Sequence, residues 1–309
     1  MSKTPAKVLY VSSACTKRRF HEVFPNQSRM PGQQAQKFHR LMLEGLAQAG
    51  TSVIALSSVP ITRSNCPKRV ISLPPDCENG VDYHYLRVLN WRIVRNIATL
   101  SLSFAETCRH LRSNKEAAVI CDVLNFSAST GALIAAKIFR RANIGIVTDI
   151  PGLLSRSPNP LISRIIHFAM KRYDAYVFLT KEMDSLVNQR HVPSVVIEGL
   201  VDINMKDKSN DLANKHSERV CLYAGAIEKR YGLESLVEGF MRADSQNCEL
   251  HVYGAGDYER DLTVAAQRES RVKYLGTVPN DHVVEEQLRA TLLLNPRPTS
   301  EAFTKYSFP

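Results

Sequence analysis

Short β-branched and apolar runs alternate with longer segments of helical periodicity from the first residues onward, and a chain patterned this way folds as parallel strands joined by crossover helices. In the first half the strand candidates are KVLYV (7–11), TSVIAL (51–56), YHYLRV (83–88), AAVIC (117–121), GIVTDI (145–150) and AYVFL (175–179). The clearest helix covers residues 33–49, with Phe38, Leu41, Met42, Gly45, Leu46 and Ala49 on one face and Gly50 placed to stop it. Residues 129–141 and 161–172 read the same way. A parallel sheet covered on both faces needs strands with little alternation, so AAVIC and AYVFL are predicted to be central.

A polar stretch at 202–219 interrupts this pattern for longer than most connections in compact domains, which places a domain junction at about 198–219. The expected division is a domain of residues 1–200 and a second of residues 201–309. In the second, strands at 220–223, 249–253, 272–275 and 291–294 alternate with helices at 232–242, 257–268 and 282–290. Both read as doubly wound α/β domains. The second stops after four strands where such folds have about six, so it is expected to be incomplete.

Composition narrows the class. Hydrophobic residues make up 44% of the 309 and charged residues 23%, which is globular rather than disordered. No window holds the roughly 18 to 20 consecutive apolar residues of a membrane span, and the first residues carry no secretory apolar region, so the expected location is the cytoplasm. Seven cysteines without a CxxC pair argue against a zinc site and against a disulfide framework, and read as idle thiols. The net charge of +10 is uneven, with +13 on residues 1–200 and −3 on residues 201–309.

In open α/β sheets ligands bind beyond the carboxyl ends of the strands. After the first strand a long loop reaches the first long helix with Gly32 near its amino end, either a turn glycine or a point of anion approach. Asp122 and Asn125 follow AAVIC, and Asp149 lies in TDIPG. A carboxylate at such an edge either orients a hydroxyl and its proton or shapes the turn. In the second half, AGAIEKRYG brings Gly225, Lys229 and Arg230 to a helix amino end, which suits a diphosphate or is a solvated basic loop. Gly254 and Gly256 form a GxG turn after LHVY, a weak nucleotide signal because Glu259 stands where the third glycine belongs. Val278 marks a third strand end on the same edge.

Taken in order, GQQAQKFHRLMLEGLAQAG, TDIPG, YVFLTKEM, VIEGLVD, YAGAIEKRYGLESLVEGF, LHVYGAGDYERDL, VKYLGTVPNDHV and LLLNPRPTSEAFTKYSFP resemble family 4 glycosyltransferases, especially the bacterial enzymes that build surface polysaccharides. The resemblance implies a GT-B fold, two Rossmann-like domains facing a cleft, the first holding the acceptor and the second the sugar nucleotide. It implies a retaining transfer to a glycan or lipid-linked acceptor, with no cofactor and no metal. By this resemblance Asp149, Lys229 and Arg230 are the catalytic candidates, and Gly32, Gly225, Gly254, Gly256, Val278 and Glu301 the donor-binding ones.

The chain departs from the family pattern in two places. The family has Arg after the first glycine of the AGAIEKRYG loop and Lys before the second, where this chain has Ala226 and Tyr231. The paired-glutamate motif that holds the ribose begins where this sequence ends at Pro309, leaving Glu301 as at best its first member. An inactive, truncated fragment that retains only acceptor and membrane binding is therefore the alternative reading. A dinucleotide-dependent Rossmann enzyme is disfavoured because the first loop lacks GxGxxG. A nucleic-acid binder is disfavoured because the basic half carries no reading element. That basic half, with amphipathic segments at 91–104 and 161–172, is instead expected to dock peripherally on an anionic membrane, the alternative being that both segments are crossover helices packed on the sheet.

Overall fold

The computed structural model describes residues 7–25, 31, 33–91, 94–150, 160–203, 210–245, 247–299 and 306. The chain divides into two compact units, Met1–Val201 and Asp202–Thr304, with Tyr306 belonging to the first.

In the first unit β1 (Lys7–Ser12) is followed by α1 (Lys17–Val23), α2 (Gln33–Gln48) and β2 (Ser52–Ser57). Four short strands come next, β3 (Val70–Ile71), β4 (Asp76–Glu78), β5 (Val81–Tyr85) and β6 (Val88–Leu89). Then α3 (Val94–Ser113), β7 (Ala118–Asp122), α4 (Phe126–Ile138) and β8 (Asn143–Val147) build the centre. The unit closes with α5 (Pro160–Met170), β9 (Ala175–Phe178), α6 (Lys181–Val187) and β10 (Ser194–Val196). The eight-stranded sheet runs β10-β9-β8-β7-β1-β2-β5-β4, parallel except for β4. Strand order thus reverses between β1 and β7, the doubly wound arrangement.

Alternation along β1 explains why both faces are covered. Leu9 and Val11 point into one core with Leu111, Val119, Ala132 and Tyr176, while Val8 and Tyr10 point into another with Leu43, Val53 and Tyr83. The second core lies under α2, which ends as its sequence predicts. Gly50 takes φ +81, its N–H reaches Ala47 O at 2.9 Å, and Thr51 N–H reaches Leu46 O at 3.1 Å, the two bonds of a Schellman stop.

The structure redraws several expected elements. The run at 83–88 splits, because β2 ends at Ser57 and the ladder has no further acceptor once Leu86 N–H has bonded Ser57 O, so Val88 turns away to pair with Ile71. AAVIC is central, as predicted, but AYVFL is next to the edge, where only Tyr176 and Phe178 are fully buried. The helix read at 129–141 begins at Phe126, and the segment at 91–104 is the start of α3, which continues to Ser113.

In the second unit β11 (Arg219–Ala224), α7 (Leu233–Arg242), β12 (Cys248–Tyr253), α8 (Glu259–Arg268), β13 (Val272–Gly276), α9 (Asn280–Arg289) and β14 (Leu292–Leu293) follow one another. The parallel sheet has the order β13-β12-β11-β14, so its reversal lies between β11 and β14. Leu250, Val252 and Tyr223 pack under α7 and α8, while Val220, Leu222 and Tyr253 face the other way with Ala290.

The closest helix pair is α3 with α4. Gly131 on α4 makes this possible, since a Cβ there would lie 2.3 Å from the Leu100 carbonyl oxygen, and Ser103 Oγ donates to Ala128 O across the same contact at 2.7 Å. Gly131→Ala must push the two backbones apart and is expected to lower the unfolding free energy of the first unit by about 1–3 kcal/mol in urea titration. Gly239→Ala on α7, where an added Cβ meets nothing within 4 Å, is expected to raise that of the second unit by about 0.5–1 kcal/mol.

Candidate active site

At the reversal point of the first sheet, β1 and β7 deliver two polar side chains into an apolar interior. Tyr10 on β1 is fully buried, and its hydroxyl lies 2.7 Å from His39 Nδ1 on α2. His39 Nε2 lies 3.1 Å from Asp122 Oδ2 at the end of β7. Burial, reinforced by the Asp122 charge, pushes the Tyr10 phenol well above its ordinary range, so it stays protonated and donates to His39. The imidazole hydrogen then sits on Nε2 and is donated to Asp122. The other carboxylate oxygen accepts from Leu124 N–H at 3.0 Å, and Ser129 Oγ donates to the Asp122 carbonyl. Asp122 is thereby held in one orientation by three elements.

Asp122 borders a cavity of about 460 Å³ at the carboxyl edge of the sheet. Its walls come from the loops after β1 (Ser13), β2 (Val59 to Thr62) and β7 (Leu124 to Ser127), and from Arg95 on α3 and Ile166 on α5. Gln36 fixes the first of these loops to α2, accepting from Cys15 N–H at 3.1 Å and donating to Ser13 O at 2.7 Å. Asn125 occupies the N-cap position of α4 without capping it, and its Nδ2 is buried with no hydrogen-bond partner among the described residues. A buried unmatched donor beside a fixed carboxylate is the arrangement that binds a hydroxyl group. Asp149, two residues beyond β8, accepts from Ile150 N–H at 2.7 Å and is not among the described residues lining the cavity. Gly32 lies outside the described residues.

In the second unit the expected glycines are close-packing positions. A Cβ on Gly254, where φ is +132, would lie 1.9 Å from Gly225 O, and one on Gly256 would lie 2.0 Å from Ile227 O. The loops after β11 and β12 therefore run backbone against backbone, with Gly225 N–H bonding Tyr253 O and Ile227 N–H bonding Ala255 O. A side chain on Gly225 would meet the Tyr223 hydroxyl at 2.8 Å. Gly232, with φ +82, begins α7 and lies against Pro296 O in the loop after β14. Val278 is half-buried against the cluster of Val220, Leu222 and Tyr253. Glu301 lies outside the described residues.

The two expected cations differ in surroundings. Lys229 Nζ is held between Glu234 Oε1 at 3.0 Å and Asp261 Oδ2 at 3.1 Å, and lies over the Tyr258 ring. Arg230 pairs with Glu228 and lies 4.9 Å from the centroid of Tyr231, whose ring also carries the Arg297 guanidinium at 5.1 Å. Tyr231 thus gathers two guanidinium groups at the reversal point of the second sheet. Arg297, His39 and Tyr10 escaped the sequence reading. Arg297 sits in a proline-rich loop, and His39 and Tyr10 occupy ordinary core positions of a helix and a strand.

No protein-family model matches the chain, and no curated protein matches it. Solved structures do. Sucrose-phosphate synthase from Thermosynechococcus elongatus matches with a TM-score of 0.59 at 12% identity, over 94% of this chain and 75% of that one. The Anabaena protein HepE in complex with UDP-glucose matches with a TM-score of 0.57 at 14% identity, over 93% of this chain and 72% of that one. WaaG, a glycosyltransferase involved in lipopolysaccharide biosynthesis, matches with a TM-score of 0.55 at 14% identity, over 94% of this chain and 75% of that one. Two Rossmann-like units in tandem, each built mainly on parallel strands whose order reverses beside the first strand, and these likenesses along nearly the whole chain give the protein the GT-B fold.

Proposed function

We propose that the protein is a glycosyltransferase that moves a sugar, with retention of configuration, from a nucleotide-sugar donor to a glycan or lipid-linked acceptor in surface-polysaccharide synthesis. The observation that carries this reading is the cavity at the reversal point of the first sheet, bounded by a fixed carboxylate and an unmatched amide donor, on a GT-B scaffold. Asp122 accepts a hydrogen bond from the acceptor hydroxyl and Asn125 Nδ2 donates to a neighbouring oxygen, while Asp149 supplies a second carboxylate on the same edge.

The donor diphosphate is assigned to the carboxyl edge of the second unit, near Gly225 and the start of α7. As the sugar C1–O bond breaks, negative charge gathers on the departing diphosphate, and guanidinium groups stabilise it without a metal in the reaction. Arg230 belongs to the pair expected from the sequence. Its partner in this role is Arg297, whose guanidinium meets the same Tyr231 ring, whereas Lys229 is held between two carboxylates, Glu234 and Asp261.

A peripheral site on an anionic membrane completes the proposal. Trp91, Val94 and Ile97 form a stripe at the start of α3 with exposures of 39, 47 and 65%, and Ile165 and Phe168 on α5 are 49 and 63% exposed. Both helices border the cavity, through Arg95 and Ile166. Arg172 lies over Phe168 at 4.2 Å, a cation seated on an exposed apolar ring. Arg95 itself is turned inward to the Ile61 carbonyl at 3.2 Å, so the basic partners of the surface are Arg164 on α5 and Arg172 just beyond it, and Arg92 lies outside the described residues.

Three outcomes test these assignments. Calorimetry against a panel of nucleoside diphosphates is expected to find one that binds. Arg230→Ala with Arg297→Ala is expected to weaken it at least about tenfold, two charged hydrogen bonds contributing roughly 1.5–3 kcal/mol each, with Lys229→Ala having little effect. No binding by any member of the panel removes the donor assignment.

Asp122→Asn is expected to lower transfer by about a hundredfold while leaving nucleotide affinity in place. Equal transfer by the variant shows that Asp122 only holds the fold.

Vesicle co-sedimentation is expected to show binding to anionic and not to neutral bilayers, reduced by Phe168→Ala with Arg172→Glu and by high salt. Equal binding to both vesicle types overturns the electrostatic account.

A further inference from the structure

On the face of the second sheet covered by α9, three side chains with metal-binding atoms converge from three separate elements. His216 precedes β11, His251 lies in the middle of β12 and Glu286 belongs to the last turns of α9, and one ligand atom of each lies within 4.8 Å of the other two. The cluster is enclosed, with side-chain exposures of 17, 13 and 11%. His216 Nε2 stands 3.1 Å from Glu286 Oε2. Backbone geometry supports the approach, since His216 N–H also bonds Arg289 O at the end of α9.

The state of His251 distinguishes this cluster from an ordinary buried ion pair. Its Nε2 lies 2.8 Å from Glu249 Oε2, and a carboxylate only accepts, so the imidazole hydrogen sits on Nε2. In the neutral ring Nδ1 then carries the lone pair, and that atom is buried without a hydrogen-bond partner among the described residues. A neutral imidazole with one N–H fixed by a carboxylate and a bare lone pair on the other nitrogen is in the form that a metal-bound histidine takes. An unmatched buried nitrogen is destabilising, and a ligand on it removes that cost.

We propose that His216, His251 and Glu286 bind a divalent zinc ion, with Glu249 orienting His251 from outside the ligand set. Two imidazoles and one carboxylate are a donor set that zinc favours, and a water completes the tetrahedron. Zinc bonds of about 2.0–2.2 Å place neighbouring ligand atoms roughly 3.3 Å apart, which the His216 and Glu286 pair already approaches. Glu286 offers Oε2 alone, since Arg289 Nη1 takes Oε1 at 3.3 Å. Lys273 Nζ stands 3.6 Å from Glu249 Oε1, on the outer side of the orienting carboxylate. The site joins the segment before β11, the centre of β12 and α9. It lies on a sheet face, away from the carboxyl edge given to the donor, so it acts through the stability of the fold and touches no reacting group.

The test is a zinc titration of the EDTA-treated and dialysed chain against a chromogenic chelator, paired with thermal unfolding. One tight equivalent and a raised Tm are expected. Glu286→Gln and His251→Ala are expected to lose both effects, and Glu249→Gln to weaken binding about 10- to 100-fold while keeping all three ligands. His21→Ala with His191→Ala, which removes exposed imidazoles elsewhere, is expected to bind as the unaltered chain does. Should His251→Ala unfold, Glu249→Gln and the visible spectrum of bound Co2+ decide. A tetrahedral cobalt spectrum supports the site, and an octahedral one overturns it. A Tm indifferent to zinc, or equal binding by Glu249→Gln and Glu286→Gln, also overturns it.

Discussion

β1 is paired in parallel on both sides, with β2 and with β7, and that double pairing sets most of what the first unit can do. Its backbone groups are satisfied by the two ladders, and from Val8 to Val11 its side chains are buried on both faces. Because the connection from β1 runs toward β2 and that from β7 toward β8, the loops at their carboxyl ends diverge and leave a gap. The cavity bounded by Asp122 occupies that gap. The second unit repeats the topology around β11 but treats the edge differently. Its strand-end loops touch backbone to backbone at Gly254, Gly256 and Gly232, so its ligand-binding surface is built from main chain and from the arginines gathered on Tyr231.

The parts of this architecture legible in the sequence are those with a period. α2 and its glycine stop, the central β7, and the alternation of the second unit follow from apolar spacing alone. What escaped is decided by distant partners. The run at 83–88 has uniform strand character, and only the length of β2 determines that Val88 leaves the main sheet. AYVFL has the composition of a central strand, and it lies beside the edge because only β10 follows it in the sheet. Tyr10, His39 and Asp122 are separated by 29 and 83 positions along the chain, so no local spacing signals their hydrogen-bonded line. Gly254 and Gly256 were visible as a turn, but their role of letting two loops touch needs the second loop in view.

Burial also settles the part played by the thiols and phenols. The Cys15 and Cys121 thiols are pushed up to about 12 by desolvation, and the Cys221 thiol to about 11, so at neutral pH they are not nucleophiles. The same effect keeps Tyr10, Tyr83 and Tyr173 protonated far above neutrality. For Tyr10 this has a directional consequence. The Tyr10 hydroxyl lies 2.7 Å from His39 Nδ1, and its donation there leaves the imidazole hydrogen on Nε2, the nitrogen 3.1 Å from Asp122. The Asp122 carboxyl group thus meets His39 Nε2 with one oxygen and the Leu124 N–H with the other, and keeps lone pairs for a further hydrogen bond from the cavity.

The two faces of the second sheet are held by different forces. Under α7 and α8 the contact is apolar throughout, from Leu233 and Val237 to Leu250, Val252 and Leu262. Under α9 the apolar cluster is small, and β12 presents Glu249, His251 and Tyr253 at alternate positions to that face. Burial, with Glu286 beside it, raises the Tyr253 phenol to about 12, so that it too remains a donor. α9 is thus fastened by a polar network in which Glu286 receives His216, Arg289 and Tyr253 at once. Such a network specifies position through fixed hydrogen-bond directions, whereas an apolar face of the same size tolerates sliding. The register of α9 in turn sets where β14 begins, and β14 forms one side of the reversal point that holds Arg297. A polar face far from the carboxyl edge therefore contributes to the placement of a cation on that edge.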